Sequence, residues 1–440
     1  MPDKQGIEKS TPELMAFLDA SPTAWHAAAR MREALEKAGF EALDEGQAWK
    51  LEPGGRYLVV RGGSALAALV MGSAPSPEAG VRVVGAHTDS PALKLKPDPS
   101  STSGGYVTLG VEVYGGPILA TWMDRDLKVA GRVAVRSADA PDGVEMRLVD
   151  LGDPHVTVPN LAIHLNRKVN DDGLKVNAQD NLPALFALDV GDEGGDTVLG
   201  LVAGQAAVGI DDLLGFDLLL CDVQPSAIAG RDGTLLRSGR MDDLAMCHAG
   251  IEALLRTAGD DAPFTRMLVC YDNEEVGSST ARGAASPFLA DVIERVVLAH
   301  SGGREDFMRA VSRSWLLSAD MAHALNPNYA AKHDAKHRPL LGGGPVLKVN
   351  ASMRYATDAG GWALFEHLCR EADVPCQRYV NRSDLPCGST IGPIASSRLG
   401  IRTVDVGNPI LAMHSIRETC GVADHEHMIR ALAAFNTLSV

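Results

Sequence analysis

Met267-Leu268-Val269-Cys270-Tyr271 is an uninterrupted apolar run, and Asp272-Asn273-Glu274-Glu275-Val276-Gly277-Ser278 follows it directly. A short apolar run bounded by turn residues reads as a strand buried on both faces, the pattern of a sheet covered by helices. Two adjacent carboxylates at its end repel each other, so their pairing needs a reason. Successive side chains leave a strand end in different directions, which lets one carboxylate bind a metal while the other faces the water on that metal. Taken alone, the pair reads sooner as a solvated acidic turn, and the residues leave open which glutamate takes which task.

The same context recurs four more times. His87 follows Val81-Arg82-Val83-Val84-Gly85-Ala86, Asp242 opens a helix after residues 235–240, and Asp320 follows Trp315-Leu316-Leu317-Ser318-Ala319. His414 lies beyond Val404-Asp405-Val406-Gly407 and a short loop. Ligands in open α/β sheets sit outside the carboxyl ends of the strands, where side chains distant in sequence converge. Each position has a bland reading by itself: a core histidine, a helix N-cap, a turn aspartate, a loop histidine. Five together point to a site. Two histidines and three carboxylates suffice for a dinuclear centre with one bridging carboxylate, a centre that activates water for hydrolysis. Asp89, two residues beyond His87, lies on the same side of an extended chain and is placed to hydrogen-bond the imidazole.

Working outward, helix signals stand at Thr11-Pro12 and from Pro22 to Gly39, and short strands follow at residues 57–60 and 65–70. Residues 93–235 change to a Gly- and Val-rich period-two texture, expected to form an antiparallel barrel or sandwich inserted in the chain, with Gly191-Asp192-Glu193-Gly194-Gly195-Asp196 as a mobile loop. Helix and strand then alternate to the C-terminus, the rhythm of an α/β domain. His425-Glu426-His427 lacks the spacing of a helical zinc motif and reads as a solvated face at a helix start.

The chain has 440 residues, 45% hydrophobic and 22% charged, with a formal charge of −15. That is ample material for two or three cores, and the negative field argues against nucleic-acid or anionic-membrane partners. The opening residues carry no apolar signal core, and no apolar run suits a membrane span, so a cytoplasmic setting is expected. Seven cysteines without a Cys-x-x-Cys pair form neither a disulfide framework nor a thiolate zinc site. A metal must therefore be held by His, Asp and Glu.

At these residues the chain resembles aspartyl aminopeptidase, a family of dinuclear zinc exopeptidases. The matching segments run nearly end to end, among them Gly85-Ala86-His87-Thr88-Asp89-Ser90-Pro91, Ala162-Ile163-His164-Leu165, Gly239-Arg240-Met241-Asp242-Asp243-Leu244, Ser318-Ala319-Asp320-Met321-Ala322-His323 and Leu411-Ala412-Met413-His414-Ser415-Ile416-Arg417-Glu418. The resemblance implies a mixed-sheet zinc-exopeptidase catalytic domain of residues 1–92 and 236–440, with an inserted antiparallel β-barrel-like domain of residues 93–235 that mediates dimer contacts. It implies two divalent ions, Zn2+ with Mn2+ or Co2+ as substitutes. His87, Asp242 and Asp320 would hold one, and Asp242, Glu275 and His414 the other, with Glu274 as general base. It further implies short peptide substrates with an acidic N-terminal residue, bound by Lys348, His323 and Tyr355, and a homododecamer built from dimers in which His164 reaches a neighbouring subunit's active site. One departure stands out: Asp243 follows the bridging aspartate where many members carry Asn, a charge expected to affect metal affinity rather than reaction type. A deacylase or carboxypeptidase on the same ligand set, or a non-catalytic shell-forming protein, are the alternatives.

Overall fold

The computed structural model describes residues 4–189, 197–300 and 302–438. The glycine-rich stretch 191–196 expected to be a loop lies outside the described residues. The chain divides into two compact units: Met1–Asp89, Ser226–Met413 and Glu418–Val440 form the first, and Ser90–Pro225 with His414–Arg417 the second.

The first unit is built on a nine-stranded mixed sheet. Its strands in chain order are Glu41–Ala42 (β1), Arg56–Arg61 (β2), Ala65–Val70 (β3), Val81–His87 (β4), Thr265–Tyr271 (β5), Trp315–Ala319 (β6), Val346–Val349 (β7), Gln377–Val380 (β8) and Arg402–Gly407 (β9). Across the sheet they run β1-β2-β3-β5-β4-β6-β9-β7-β8. The central four, β5, β4, β6 and β9, are mutually parallel, so their carboxyl ends form one edge. Every residue of β4, β5 and β6 is buried, as the apolar runs require of strands covered on both sides.

Alternation within the strands divides the core between the two faces. Val84 and Ala86 of β4, with Leu268 and Cys270 of β5, pack with Met31, Leu35, Leu254, Phe365 and Leu432 from the helices Ala24–Lys37, Met241–Thr257, Ala359–Glu371 and Val422–Thr437. Val81, Val83, Met267 and Val269 pack with Phe288, Ile293, Phe307 and Ala395 from the helices Phe288–Ala299, Arg304–Arg313 and Ile391–Leu399. The result is a three-layer helix-sheet-helix unit. A second sheet of five short strands, Ala227–Ala229, Leu235–Ser238, Glu418–Gly421, Pro409–Leu411 and Ala322–His323, belongs to the same unit.

The second unit carries a six-stranded antiparallel sheet in the order Val144–Asp150, Leu127–Arg136, Leu213–Asp222, Ala92–Ser103, Tyr106–Tyr114 and Ala184–Leu188. The period-two reading is right about strands, but no closed barrel forms among the described residues. The edge strands Val144–Asp150 and Ala184–Leu188 do not pair with each other, and the inner face is covered instead by Val198 and Val202 of the helix Val198–Gln205 together with Trp122, Val156 and Val158. An apolar helix supplies the burial that closure would otherwise provide.

Two further readings are corrected. The first helix begins at Lys4, so Thr11 and Pro12 stand inside it rather than at its start. His425, Glu426 and His427 are buried, not solvated: Nδ1 of His248 and Nε2 of His425 lie 2.9 Å apart, and Glu426 takes a two-point contact from Arg256 at 2.6 and 3.0 Å. Among the described residues no helix is long and apolar enough to cross a membrane.

Gly407 closes β9 against the turn after β6, where a Cβ would stand 1.7 Å from the Asp320 carbonyl oxygen. No side chain fits there without displacing that backbone. Gly407→Ala is therefore expected to lower stability by about 1–3 kcal/mol, measured by urea denaturation.

Candidate metal centre

The carboxyl edge of the parallel strands gathers the polar residues of the site. His87 is the last residue of β4 and pairs in register with Tyr271, the last of β5. Asp320 directly follows β6, its N–H bonded to the Val406 carbonyl at 2.9 Å. Asp242 stands at the head of the helix Met241–Thr257, behind Arg240, whose φ of 58° turns the chain sharply. The Arg240 guanidinium ties that turn to the carbonyls of Ser21 and Leu18 at 3.1 and 3.2 Å. The Asp242–Asp243 peptide bond is cis.

Asn273, with φ 63°, leads into a single 3-10 turn, Glu274–Val276, which Gly277 closes at φ 93°. Asn tolerates the left-handed region better than most residues, and glycine enters it freely. The first N–H groups of such a turn need outside acceptors. Asp89 supplies both, its Oδ1 taking the Glu274 N–H at 3.0 Å and its Oδ2 the Glu275 N–H at 3.1 Å. The same residue orients His87: Nδ1 lies 3.0 Å from the Asp89 carbonyl and 3.4 Å from its carboxylate. A carbonyl only accepts, so the Nδ1 carries the proton and Nε2 presents its lone pair.

That lone pair points at an acceptor, since His87 Nε2 stands 3.6 Å from Asp242 Oδ1. Ligand atoms of His87, Asp242, Asp243 and Asp320 lie within 4.8 Å of one another, as do those of His87, Glu274 and Glu275. All of the first group are buried. Acceptors facing acceptors in a buried place need a cation or protons between them. Asp243 makes the same case atom by atom: its Oδ2 accepts the His87 N–H at 3.1 Å, while its Oδ1 is buried without a hydrogen-bond partner. The residues present therefore fit a divalent-metal centre.

Burial raises the carboxyls of Asp243 and Asp320 above the ordinary range and pushes Glu274 up to about 8, with neighbouring carboxylates adding to the effect. Burial opposes protonation of His87, yet the carboxylates of Asp243, Asp242 and Asp89 raise its affinity for a proton well above the usual value. A dication among these groups replaces the protons they would otherwise hold.

The expected substrate residues are divided between the units. Lys348 on β7 is buried, its Nζ donating to the carbonyls of Asp320 at 2.8 Å and Met321 at 3.2 Å and lying 3.7 Å from Asp320 Oδ2. It stands 5.2 Å from the centre of the Tyr355 ring. Tyr355 meets Tyr379 edge-on at 6.4 Å, and Tyr379 meets His323 at 5.6 Å. His323, Lys348 and Tyr355 are thus brought together beside Asp320. His164 belongs to the second unit, exposed in a stretch where Leu161, Ile163 and Leu165 are 59, 46 and 76% exposed. His414 also counts with the second unit; its φ is 67°, and its Nδ1 bonds the Gly116 carbonyl at 3.0 Å, so Nδ1 carries the proton and Nε2 the lone pair.

Three residues were missed as parts of the site. Asp243, expected only to affect metal affinity, is fully buried against His87. Glu418 accepts the Asp242 N–H at 3.2 Å, and Tyr379 joins Tyr355 to His323. For Asp243 the signal was the doubled acid itself; Glu418 and Tyr379 carry none that separates them from ordinary strand residues.

Residues 17–436 match the family described as Aminopeptidase I zinc metalloprotease (M18). A probable M18 family aminopeptidase 2 of Stutzerimonas stutzeri is 48% identical over 429 residues, covering 96% of each chain. Among solved structures, Ape4 in its complex with Nbr1 superposes with a TM-score of 0.93 at 35% identity, covering 98% of this chain and 86% of that one. The mApe1 dodecamer of S. cerevisiae superposes with a TM-score of 0.84 at 30% identity, covering 98% and 96%.

Groups whose folded-state pKa is raised contribute stability at low pH and lose it as pH rises through that value. Glu274, at about 8, titrates within the neutral window. In the presence of a chelator, melting temperature is expected to fall between pH 6 and pH 8; with zinc the fall should be abolished or reversed, and zinc uptake should release protons measurable with a pH indicator.

Proposed function

Because the chain belongs to the M18 family of zinc metalloproteases, we propose that it is an aminopeptidase removing N-terminal Asp and Glu from short peptides, with Glu274 as its general base. The observation that carries this reading is the joint hold of Asp89 on Glu274, Glu275 and His87, next to a buried lysine at Asp320. His87, Asp242 and Asp320 would hold one ion and Asp242, Glu275 and His414 the other, with Asp243 as an adjoining oxygen donor. Bound there, two divalent ions supply an acidified water and a positive clamp for the oxyanion of the attacked carbonyl.

Glu274 takes the proton from the attacking water and returns it to the leaving amine. Its burial suits a carboxylate that must hold a proton briefly near neutral pH. Glu275, one residue on and fixed by the other oxygen of Asp89, serves as ligand. Lys348 spends two donors on the Asp320–Met321 turn and offers its charge to the acidic side chain of the substrate, with Tyr355 and His323 flanking it. Lys348 already lies 3.7 Å from Asp320 Oδ2, so an acidic substrate side chain would gain a further ion pair that a neutral one forgoes.

Assembly belongs to the same proposal. Exposed Leu161, Ile163 and Leu165 around His164 suit a surface covered by a second copy, in a homododecamer built from dimers through the second unit. A cytoplasmic setting agrees with seven free cysteines.

Glu274→Gln is expected to lower kcat by at least about a hundredfold with zinc content unchanged; retained turnover would remove Glu274 as base. On p-nitroanilides of Asp, Glu, Leu and Lys, only the acidic pair should be hydrolysed efficiently, and an N-acetylated peptide should be inert. Lys348→Met should cut kcat/KM for Asp by more than about tenfold, or about 1.4 kcal/mol, while narrowing the gap to neutral substrates.

A further inference from the structure

Strand β5 ends at Tyr271, and two buried residues, Asp272 and Asn273, separate it from Glu274. Beyond the glutamates the chain runs out through exposed Ser279 and Thr280 and returns at Arg282, whose carbonyl accepts the Asp272 N–H at 3.1 Å. The Arg282 side chain reaches back over the same two residues. Its Nε donates to Asp272 Oδ2 at 2.9 Å, and its Nη2 donates to Asn273 Oδ1 at 3.4 Å.

The acceptors are themselves fixed. Asp272 Oδ2 also takes the Ser64 hydroxyl at 2.5 Å, and Asp272 Oδ1 takes the Asn273 N–H at 2.7 Å. Thr280 Oγ1 donates to Asn273 Oδ1 at 2.8 Å and accepts the Arg282 N–H at 3.3 Å. The Arg282 side chain is 25% exposed and that of Asp272 3%, so the pair is shielded from most of the solvent that weakens surface ion pairs. Gly62 leaves room for the arginine, because a Cβ there would collide with Arg282 Cδ.

Asn273 stands at φ 63°, and this left-handed residue sets the direction in which the Glu274–Val276 turn leaves the strand. Asp89 holds the N–H groups of Glu274 and Glu275. The guanidinium holds the residues that precede them. A planar fork reaches two acceptors at a fixed separation, which an ammonium does not. On the reading of Glu274 as general base, on which this rests, we propose that Arg282 is a positioning residue: it keeps Asn273 left-handed and so aims the Glu274 carboxylate. Glu275 would be held as well by the ion it ligates. A general base has no such bond and takes its aim from its backbone, and a misplacement of about 1 Å costs up to about a hundredfold in rate.

The test uses the full-length, zinc-loaded protein and the aminoacyl p-nitroanilide that the wild type cleaves best. Arg282→Ala should lower kcat at least about tenfold with KM and zinc content unchanged. Millimolar guanidinium chloride should restore part of that loss and raise nothing in the wild type. Arg282→Lys, which keeps the charge without the fork, should stay impaired. In the Glu274→Gln background Arg282→Ala should cost nothing further, because the carboxylate it aims is already gone. Wild-type kcat in Arg282→Ala beside an inactive Glu274→Gln overturns this inference and leaves the base in place, whereas full turnover in Glu274→Gln overturns both. Loss of zinc, a raised KM with kcat intact, or an equal loss in both backgrounds also overturns it, assigning Arg282 to the fold alone. If Arg282→Ala fails to fold, Thr280→Val removes the other donor to Asn273 Oδ1, and an unchanged kcat in that variant counts against the proposal in the same way.

Discussion

One carboxylate holds the site together. Each carboxylate oxygen of Asp89 accepts from a different backbone N–H of the Glu274-Glu275 turn, and its carbonyl accepts from Nδ1 of His87. Strands β4 and β5 are neighbours in register to their last residues, so the sheet brings the segments to the same edge. It does not fix the direction in which the side chains leave. Asp89 does that for three of them at once, because a short turn beginning with uncapped N–H groups takes its orientation from whatever acceptor satisfies them. The Thr88 N–H and hydroxyl, both bonded to the Tyr271 carbonyl at 2.7 and 3.1 Å, lock the segment from the other side.

That fixed frame permits a concentration of charge that would otherwise disperse. Asp242, Asp243 and Asp320 are buried around one imidazole, and an uncompensated buried carboxylate costs several kcal/mol. The chain therefore spends rigid backbone on each: a left-handed Arg240 before Asp242, a contact with Gly407 that leaves no room for a side chain beside Asp320, and Lys348 across the Asp320 carbonyl. Repulsion among the acids is the reason for these restraints and also the source of affinity for a dication.

What could be read from the sequence follows from the range of the forces involved. The runs at residues 81–86, 267–271 and 315–319 announce buried strands because covering helices demand apolar side chains at every position. His87, Glu274, Glu275 and Asp320 stand out because polar residues end those runs abruptly. The resemblance was needed for finer matters, such as the division of labour between the two glutamates. Other features depend on partners that no local pattern names. His425-Glu426-His427 looks solvated until His248 and Arg256 on another helix are seen to meet it. Thr11-Pro12 resembles a helix start although the helix begins a turn or more earlier, because proline within it is tolerated where tertiary packing holds the segment. The expected barrel reflects the same limit: alternation reports strands and their two faces, whereas closure depends on whether something else covers the inner face, here the helix Val198–Gln205.

Lys348 ties the proposed recognition of substrate to the turn that carries Asp320. Its ammonium is almost fully buried, and two of its donors brace the turn that carries Asp320. The Tyr355 ring at 5.2 Å and Asp320 Oδ2 at 3.7 Å both face its charge, and Asp320 is shared with the acidic cluster. On the proposed reading, an acidic substrate side chain would add a second anion beside this lysine. A neutral side chain would not, and the difference would fall on a residue that also braces the turn carrying Asp320. Selectivity for acidic N-termini, as proposed, would then be coupled through Lys348 to the placement of Asp320, so discrimination and turnover should be hard to separate by mutation.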